Sequence, residues 1–420
     1  MFGFCISLTS VVFSKFDTSY VTDMSFMFEN CYHLTSIDFK NFNTSNVITM
    51  YAMFINCVSL KILHLEIFDI QNVISFAFMF HNCSSLIWIY LPSHKNYYSR
   101  LKYVNNMFSN CANLSNVDLE NIYFFFVENT ESMFEGCNSL EEFQSPFYIT
   151  EYQIMTYVVY GFEYSIHIPK KISYPINNVK YMKNMFKDCI SLKQVNLSNW
   201  GPRNVLSISE MFRNCFSLRQ LNLGKIYFYN EINTNYLFSN CRSFENINLT
   251  AFENTNYIVS MSHMFENCKS LQQIDLSSLD LWEVRDIQFM FSGCSSLRYV
   301  NFNNTSSANI KFMNSLFFGC SSLTSINFGD FNTNKTINMS RMFYNCSSIT
   351  YLNLNSFNTS KVERMDEMFY GCSSLKDLYI LNFDGSSLIN YTNMFKEANR
   401  NMTIYTKYEF LQYLNSSEIG

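Results

Sequence analysis

The sequence predicts an α/β solenoid, in which stacked coils share a parallel β-sheet on one face and short helical turns on the other. Three observations lead to this fold class. Nearly all of the 14 cysteines recur at a period of about 26 residues, which indicates internal repeats. Each repeat contains one segment with strand periodicity and one with helical periodicity. Hydrophobic residues make up 48% of the 420-residue chain, which is enough for a large core.

The cysteines define the repeat unit. The gap between Cys137 and Cys189 is interpreted as two periods in which one cysteine is missing. The series extends to Ala398, and counting from Cys5 gives 16 anchor positions and therefore about 16 coils. The cysteines are Cys5, Cys31, Cys57, Cys83, Cys111, Cys137, Cys189, Cys215, Cys241, Cys268, Cys294, Cys320, Cys346 and Cys372.

The unit that follows Cys31 illustrates both local patterns. Residues 34–39 place apolar side chains at Leu34, Ile37 and Phe39, which is typical of a short strand. Residues 47–57 place them at spacings of three, three, one and three, which indicates one face of a short helix or 3₁₀-like turn. The residue before each cysteine is mostly Asn or Gly, so we expect a left-handed backbone there, at the end of each helical turn.

The predicted domain organisation is one repeat array and a cap. The array spans 1–398, with irregular coils near 92–100 and 143–181, and the cap spans 399–420, with a last strand from Thr403 and a short helix from Tyr408. The chain starts inside a repeat, and its first residues have no basic region before their apolar run. We therefore expect an N-terminally truncated sequence whose missing part held a signal.

The repeat resembles the leucine-rich repeat of BspA-like surface proteins. Residues 346–371 are a full copy and read Cys-Ser-Ser-Ile-Thr-Tyr-Leu-Asn-Leu-Asn-Ser-Phe-Asn-Thr-Ser-Lys-Val-Glu-Arg-Met-Asp-Glu-Met-Phe-Tyr-Gly. The Met-Phe-x-x-Cys form of the unit is similar to the subgroup that also occurs in mycoplasma lipoprotein-associated repeats. The resemblance implies a leucine-rich-repeat-like solenoid, location at the cell surface or in secreted form, and binding or adhesion to proteins.

Several classes of function have no support in the sequence. The motifs of zinc peptidases, serine hydrolases and phosphate-binding loops are missing, and the six histidines fall at six different places in the repeat. We therefore predict no enzyme activity and no cofactor or metal. The net charge of −5 and the lack of a long basic run argue against nucleic-acid binding. No apolar run reaches about 18 residues, so no membrane span is predicted.

The cysteines allow two interpretations. Neighbouring anchors lie about one strand spacing apart, which a disulfide framework in a secreted protein permits. Alternatively, they form a column of buried thiols that act as small apolar side chains. We favour buried thiols, because the core is large and Ala398 occupies the same repeat position. The methionines that recur beside them are also interpreted as core.

The outward positions of the strands form the one large regular surface. From Asn196 to Asn353 the central outward position is nearly always Asn, which predicts a polar ladder. Ile62 and His64 should lie beside Trp88 and Tyr90 on the adjacent strand, and an exposed cluster of this composition is typical of a protein-binding hot spot. The alternative is that another element covers the four residues.

The predicted function is non-enzymatic binding or adhesion through this extended surface. The expected partner is a protein, such as a host or neighbouring-cell surface or matrix protein. Two alternatives remain open at this point. The chain could be a structural surface-coat or antigenic protein without a single ligand, or an intracellular protein-interaction scaffold.

Overall fold

The structure is a computed structural model that describes residues 1–13, 16–92, 100–119, 122, 124–145, 149–159, 162–171 and 176–414. The chain forms two compact units. Unit 1 comprises Met1–Tyr181, Gln194–Arg203 and Asn222–Ile226, and unit 2 comprises Met182–Lys193, Asn204–Leu221 and Tyr227–Gly420. The predicted bounds of the repeat array, 1–398, and of the cap, 399–420, stay a prediction.

Short strands recur in most of the described coils, as their apolar alternation predicts. The described strands are β1 Ser10–Val12, β2 Ser36–Asp38, β3 Ile62–His64, β4 Trp88–Tyr90, β5 Glu142–Gln144, β6 Ile149–Val159, β7 Phe162–Lys171, β8 Gln194–Leu197, β9 Gln220–Leu223, β10 Ile226–Tyr227, β11 Ile232–Asn233, β12 Phe252–Glu253, β13 Ile258–Ser260, β14 Gln273–Asp275, β15 Tyr299–Asn301, β16 Ser325–Asn327, β17 Tyr351–Asn353, β18 Asp377–Tyr379 and β19 Thr403–Tyr405. Two 3₁₀ turns, Leu249–Ala251 and Thr255–Tyr257, and one helix, α1 Tyr408–Leu411, complete the described elements.

The strands pair in parallel with a register of one repeat. In unit 1, Ser36 pairs with Ser10 and Trp88 with Ile62. In unit 2, β14, β15 and β16 form one parallel sheet, and β17, β18 and β19 form another. Each coil therefore lies directly against the next, and the predicted solenoid with a parallel sheet is confirmed.

The opposite side of each coil differs from the prediction of short helical turns. Consecutive tight turns replace a helix, because left-handed residues recur four positions apart and interrupt the α-helical hydrogen-bond pattern. In one coil these residues are Ala52, with φ 51°, and Asn56, with φ 62°. Their N–H groups donate to the carbonyls of Ala77 and His81 in the next coil, each at 2.9 Å. The prediction of a left-handed residue before the cysteine is correct. Of the two alternatives for this segment, a short helix is wrong, whereas tight 3₁₀-like turns are present, for example where Ile55 N–H donates to the Ala52 carbonyl at 3.2 Å.

Aromatic and thioether side chains fill the core of each unit. One phenylalanine per coil stacks on the equivalent ring of the next coil, with centroids 5.4–5.7 Å apart and nearly parallel planes. In unit 1 the stack runs from Phe2 to Phe134, and in unit 2 from Phe186 to Phe395. Met50 and Met53, which the sequence assigned to the core, are fully buried.

The long gap between cysteines is not two coils. Glu142 of β5 pairs directly with Gln194 of β8 within unit 1, so no further coil lies between these two strands. Between them, β6 and β7 form an antiparallel hairpin in which Ile154 pairs with His167. The described part of the chain therefore forms about 14 turns, fewer than the predicted 16. The other predicted irregular coil, near 92–100, lies mostly outside the described residues.

The last described elements match the strand and helix expected near the C-terminus. β19 pairs in parallel with β18, and α1 follows it. Phe410 of α1 is buried and contacts the ring of Phe383 edge-on, with centroids 5.5 Å apart. The helix therefore covers the apolar side chains of the preceding coil.

Candidate interaction surface

The four residues singled out in the sequence lie together on the strand face of unit 1. Ile62 pairs with Trp88, and His64 pairs with Tyr90, across β3 and β4. The rings of His64 and Tyr90 stack with centroids 4.5 Å apart and planes within 8°. The predicted juxtaposition is therefore present, whereas a role of the four residues in protein binding stays a prediction.

These side chains differ in their access to solvent. Ile62 is 50% exposed and Tyr90 is 43% exposed, so the described residues do not cover them. His64 contacts Glu66, with Nδ1 2.9 Å from Oε1. Trp88 is half-buried, and its indole N–H is buried without an acceptor among the described residues. The cluster thus combines exposed apolar area with a buried indole N–H that has no acceptor among the described residues.

A polar ladder lies on the same face of the coils, as predicted. In unit 2, the Asn301 amide donates to the Asp275 carboxylate at 3.0 Å, and the Asn327 amide donates to the Asn301 side-chain oxygen at 3.1 Å. In unit 1, the Asn196 amide donates to Gln144 at 3.0 Å. Asn248 departs from the pattern, since it begins a 3₁₀ turn and lies in no strand, although its side chain accepts from Thr250 N–H at 2.9 Å as that of Asn196 accepts from Ser198 N–H at 3.0 Å.

A second aromatic cluster, which the sequence patterns did not single out, lies at the strands of unit 2. The rings of Tyr379 and Tyr405 stack with centroids 4.1 Å apart, and Tyr351 lies 5.4 Å from Tyr379. Tyr351 is 52% exposed. The repeat register could have predicted this cluster from the sequence, because Tyr379 and Tyr405 occupy the same outward position one repeat apart.

The cysteines are free thiols inside the coils. Cys5 is exposed and the other thirteen are buried. A typical thiol, that of Cys57, donates to the carbonyl of Phe28 in the preceding coil, with a Sγ–O distance of 3.2 Å. Burial raises the pKa of the Cys268 and Cys320 thiols strongly, and raises that of Cys372 to about 12. The buried-thiol interpretation is therefore correct and no disulfide framework is formed.

Clusters of metal-ligating side chains and long apolar helices are both missing from the described residues. No group of three or more His, Cys, Asp or Glu side chains in this part of the chain is arranged to hold a metal ion. No helix that the structure describes has both the length and the apolar character needed to cross a bilayer.

Stacked parallel coils with an exposed strand face define a leucine-rich-repeat scaffold, a class of fold that commonly binds proteins and is typically non-enzymatic. The chain belongs to the family described as "Mycoplasma protein of unknown function, DUF285", which matches residues 1–90, 154–252, 230–325 and 299–408. The description "BspA type Leucine rich repeat region (6 copies)" matches residues 53–174, so the BspA-like resemblance is confirmed. No curated protein matches the chain.

The chain is similar to several solved structures. A leucine-rich repeat protein from Eubacterium ventriosum is 12% identical and covers 98% of this chain and 92% of its own, with a TM-score of 0.37. TLR13 in a complex with ssRNA13 is 14% identical, with a TM-score of 0.27 and 89% of this chain covered; this chain spans 54% of the TLR13 chain. An internalin from Listeria monocytogenes, InlF, is 14% identical and covers 83% of each chain, with a TM-score of 0.24.

Proposed function

We propose that this protein is a non-enzymatic adhesion scaffold at the cell surface. It binds a host or neighbouring-cell surface or matrix protein through the strand face of unit 1. The observation that carries this proposal is the exposed cluster of Ile62, His64, Trp88 and Tyr90 on two paired strands. Family membership supports the surface location, because BspA-like repeats are typical of surface proteins.

The physical argument rests on rigidity and composition. Tyrosine and tryptophan are over-represented among residues that dominate binding energy at protein interfaces. The backbone of β3 and β4 is held by parallel pairing, and His64 stacks on Tyr90, so few rotamers are lost when a partner covers them. A repeat scaffold also presents its outward side chains at a fixed spacing, which suits an extended partner surface.

The proposal is tested with the double variant Ile62→Ser/Tyr90→Ser against a panel of purified matrix and host-surface proteins, by surface plasmon resonance. We expect wild-type protein to bind at least one of them and the variant to bind about tenfold or more weakly. Trp282→Ser is the matched control, because Trp282 is 52% exposed and lies in unit 2.

Three results would count against the proposal. Wild-type protein could bind none of the panel, which would favour a structural coat protein. The control variant could lose as much affinity as the double variant, or the double variant could retain full affinity. Circular dichroism of each variant separates a lost contact from a lost fold.

A further inference from the structure

A cavity of about 660 Å³ opens on unit 1 where the strand ladder is interrupted. It is lined by Trp88 of β4, by residues 115–119 of the following coil, and by Glu142 and Gln144 of β5. Its volume lies within the range typical of ligand sites in proteins. The cavity adjoins the aromatic cluster of β3 and β4, because Trp88 belongs to both.

The interruption is confined to the strand segment. Asn113 N–H still donates to the Ser84 carbonyl at 3.3 Å, and Ser139 N–H donates to the Ala112 carbonyl at 3.0 Å, so the coils stay attached just before it. Residues 115–119 form no strand, and no backbone hydrogen bond among the described residues joins Ser115, Asn116 or Val117 to β4 or β5. Serine, asparagine and aspartate dominate this segment, and these residues favour strands weakly.

The interruption leaves backbone polar groups without a strand partner. Leu65 N–H donates to the Tyr90 carbonyl at 2.9 Å, so the outward residues of β4 direct their backbone groups to β3. The intervening residue, Ile89, directs its N–H and C=O toward the gap, because alternate residues of a parallel strand bond to opposite neighbours. By the same alternation, Glu142 and Gln144 of β5 direct their backbone N–H and C=O groups toward the missing strand, from the side opposite to β4.

The lining is acidic and aromatic. The carboxyl group of Glu142 is exposed beside those of Asp118 and Glu141, which already have partners, and no Lys, Arg or His is among the lining residues that the structure describes. Trp88 adds an aromatic ring and its unpartnered indole N–H. Carboxylates beside an indole favour an ammonium or guanidinium group through ion pairing and cation–π attraction. The lining therefore has the charge and shape to receive a basic side chain.

We infer that this cavity binds an extended, basic peptide segment of the protein partner. The segment's backbone bonds to the unpaired groups of Ile89, Glu142 and Gln144, in the manner of strand addition. Its Lys or Arg side chains meet the carboxylates and the ring of Trp88. This inference rests on the proposed function, since it specifies the chemistry of the partner that the strand face would bind.

The probe is a seven-residue peptide that alternates lysine with valine and threonine, and the reference peptide has glutamate in place of every lysine. Isothermal titration calorimetry should show that the lysine peptide binds about tenfold or more tightly than the glutamate peptide. Glu142→Lys should weaken its binding about tenfold. The control is Glu245→Lys, because Glu245 is exposed, lies in unit 2 and occupies the repeat position of Glu141.

A second measurement reports contact with the cavity itself. Binding of the lysine peptide should change the tryptophan fluorescence of the wild-type protein, and Trp88→Phe should remove that change while Trp282→Phe keeps it. Equal affinity for the two peptides, equal losses in Glu142→Lys and Glu245→Lys, or an unchanged response in Trp88→Phe would each overturn the inference.

Failure of this inference is distinguishable from failure of the proposed function. If Ile62→Ser/Tyr90→Ser loses a protein partner while Glu142→Lys retains it, the strand face binds proteins but the cavity takes no basic segment. If no panel protein binds while Glu142→Lys still weakens binding of the lysine peptide, the cavity binds basic segments but the adhesion proposal fails.

Discussion

At the residue scale, the cysteines show how one repeated position meets two demands. The position needs a small side chain, because it lies inside the coil with no exposed area from Cys31 to Cys372. The thiol also supplies a weak donor for the phenylalanine carbonyl of the preceding coil, for example from Cys241 to Phe212 at 3.1 Å. Because burial disfavours the thiolate, these groups stay protonated and unreactive.

We expect alkylation to distinguish Cys5 from the other thirteen cysteines. At about pH 8, iodoacetamide should modify one thiol of the native protein, because Cys5 is exposed and the others are buried. In denaturant all 14 thiols should react. Intact-mass and peptide mass spectrometry give the count and the site. Rapid modification of several repeat-position cysteines under native conditions would contradict the buried ladder.

The raised thiol pKa values also predict loss of stability in alkali. The unfolded chain releases thiol protons near the ordinary value of 9.0, whereas the folded chain retains them, for example at Cys268. Above that pH the folded state binds more protons, so the free energy of unfolding falls as pH rises, by up to about 1.4 kcal/mol per pH unit for each such thiol.

Urea unfolding measured between about pH 7 and pH 10 checks this slope. Below the thiol pKa of the unfolded chain, the thiols contribute no pH dependence. The free energy of unfolding should therefore begin to fall near pH 9 and should keep falling as the pH rises further. Cys241→Ala should reduce the fall of the unfolding free energy with pH by the contribution of one thiol. A free energy of unfolding that stays constant through this range would show that the folded chain ionises as readily as the unfolded one.

At the element scale, the tight turn before each cysteine explains the alternation of Asn and Gly. Asn240 has φ 62°, and its amide donates to the Asn214 side-chain oxygen at 2.8 Å. Glycine adopts the same conformation without strain, as Gly293 does with φ 74°. Asparagine adds the inter-coil hydrogen bond, and alanine offers neither advantage.

We therefore expect Asn240→Ala to destabilise unit 2 by about 2 kcal/mol, from left-handed strain and the lost hydrogen bond together. Asn240→Gly should lose about 1 kcal/mol or less, because it loses the hydrogen bond but not the backbone tolerance. Urea unfolding of the two variants gives the comparison. If alanine were tolerated as well as glycine, the turn conformation would not be what selects the residue at this position.

Element-scale features also mark the limit of prediction from the sequence. Periodicity found the strands and the left-handed residue before each cysteine, because both recur with one side-chain type. It missed the second left-handed residue of each coil, such as Ala52, Tyr236 or Glu367, since no residue type is shared there. Backbone hydrogen bonds to the next coil hold this residue in the left-handed conformation. The sequence of a single repeat does not reveal these bonds.

The candidate site was predictable in part for the same reason. A register of one repeat predicts that Ile62 lies beside Trp88 and His64 beside Tyr90, and the structure pairs them in this way. The cavity was not predictable, because residues 114–119 keep the apolar pattern of a strand at Leu114, Val117 and Leu119. Their failure to pair depends on neighbouring coils, and the hairpin of β6 and β7 likewise departs from the repeat.

At the scale of the whole molecule, nearest-neighbour contact dominates the energetics of each unit. The ring of Phe291 stacks on Phe265 and Phe317, with centroids 5.7 and 5.6 Å away, and has no exposed area. Its backbone N–H donates to Leu316 in the next coil. The stability of such an array is close to a sum of coil terms and interface terms between adjacent coils.

We therefore expect Phe291→Ala to remove about 3–5 kcal/mol and to act locally. Amide hydrogen exchange should accelerate most in its own coil and in the coils of Phe265 and Phe317, and progressively less toward Phe186 and Phe395. Phe312→Ala is the control in the same unit, because Phe312 is 37% exposed and its truncation leaves a smaller cavity. A graded profile would mean that unit 2 opens coil by coil, so a partner bound at one site need order only its neighbours. Uniform acceleration throughout unit 2 would instead mean that the unit unfolds as one block, and that binding at any coil stabilises every other.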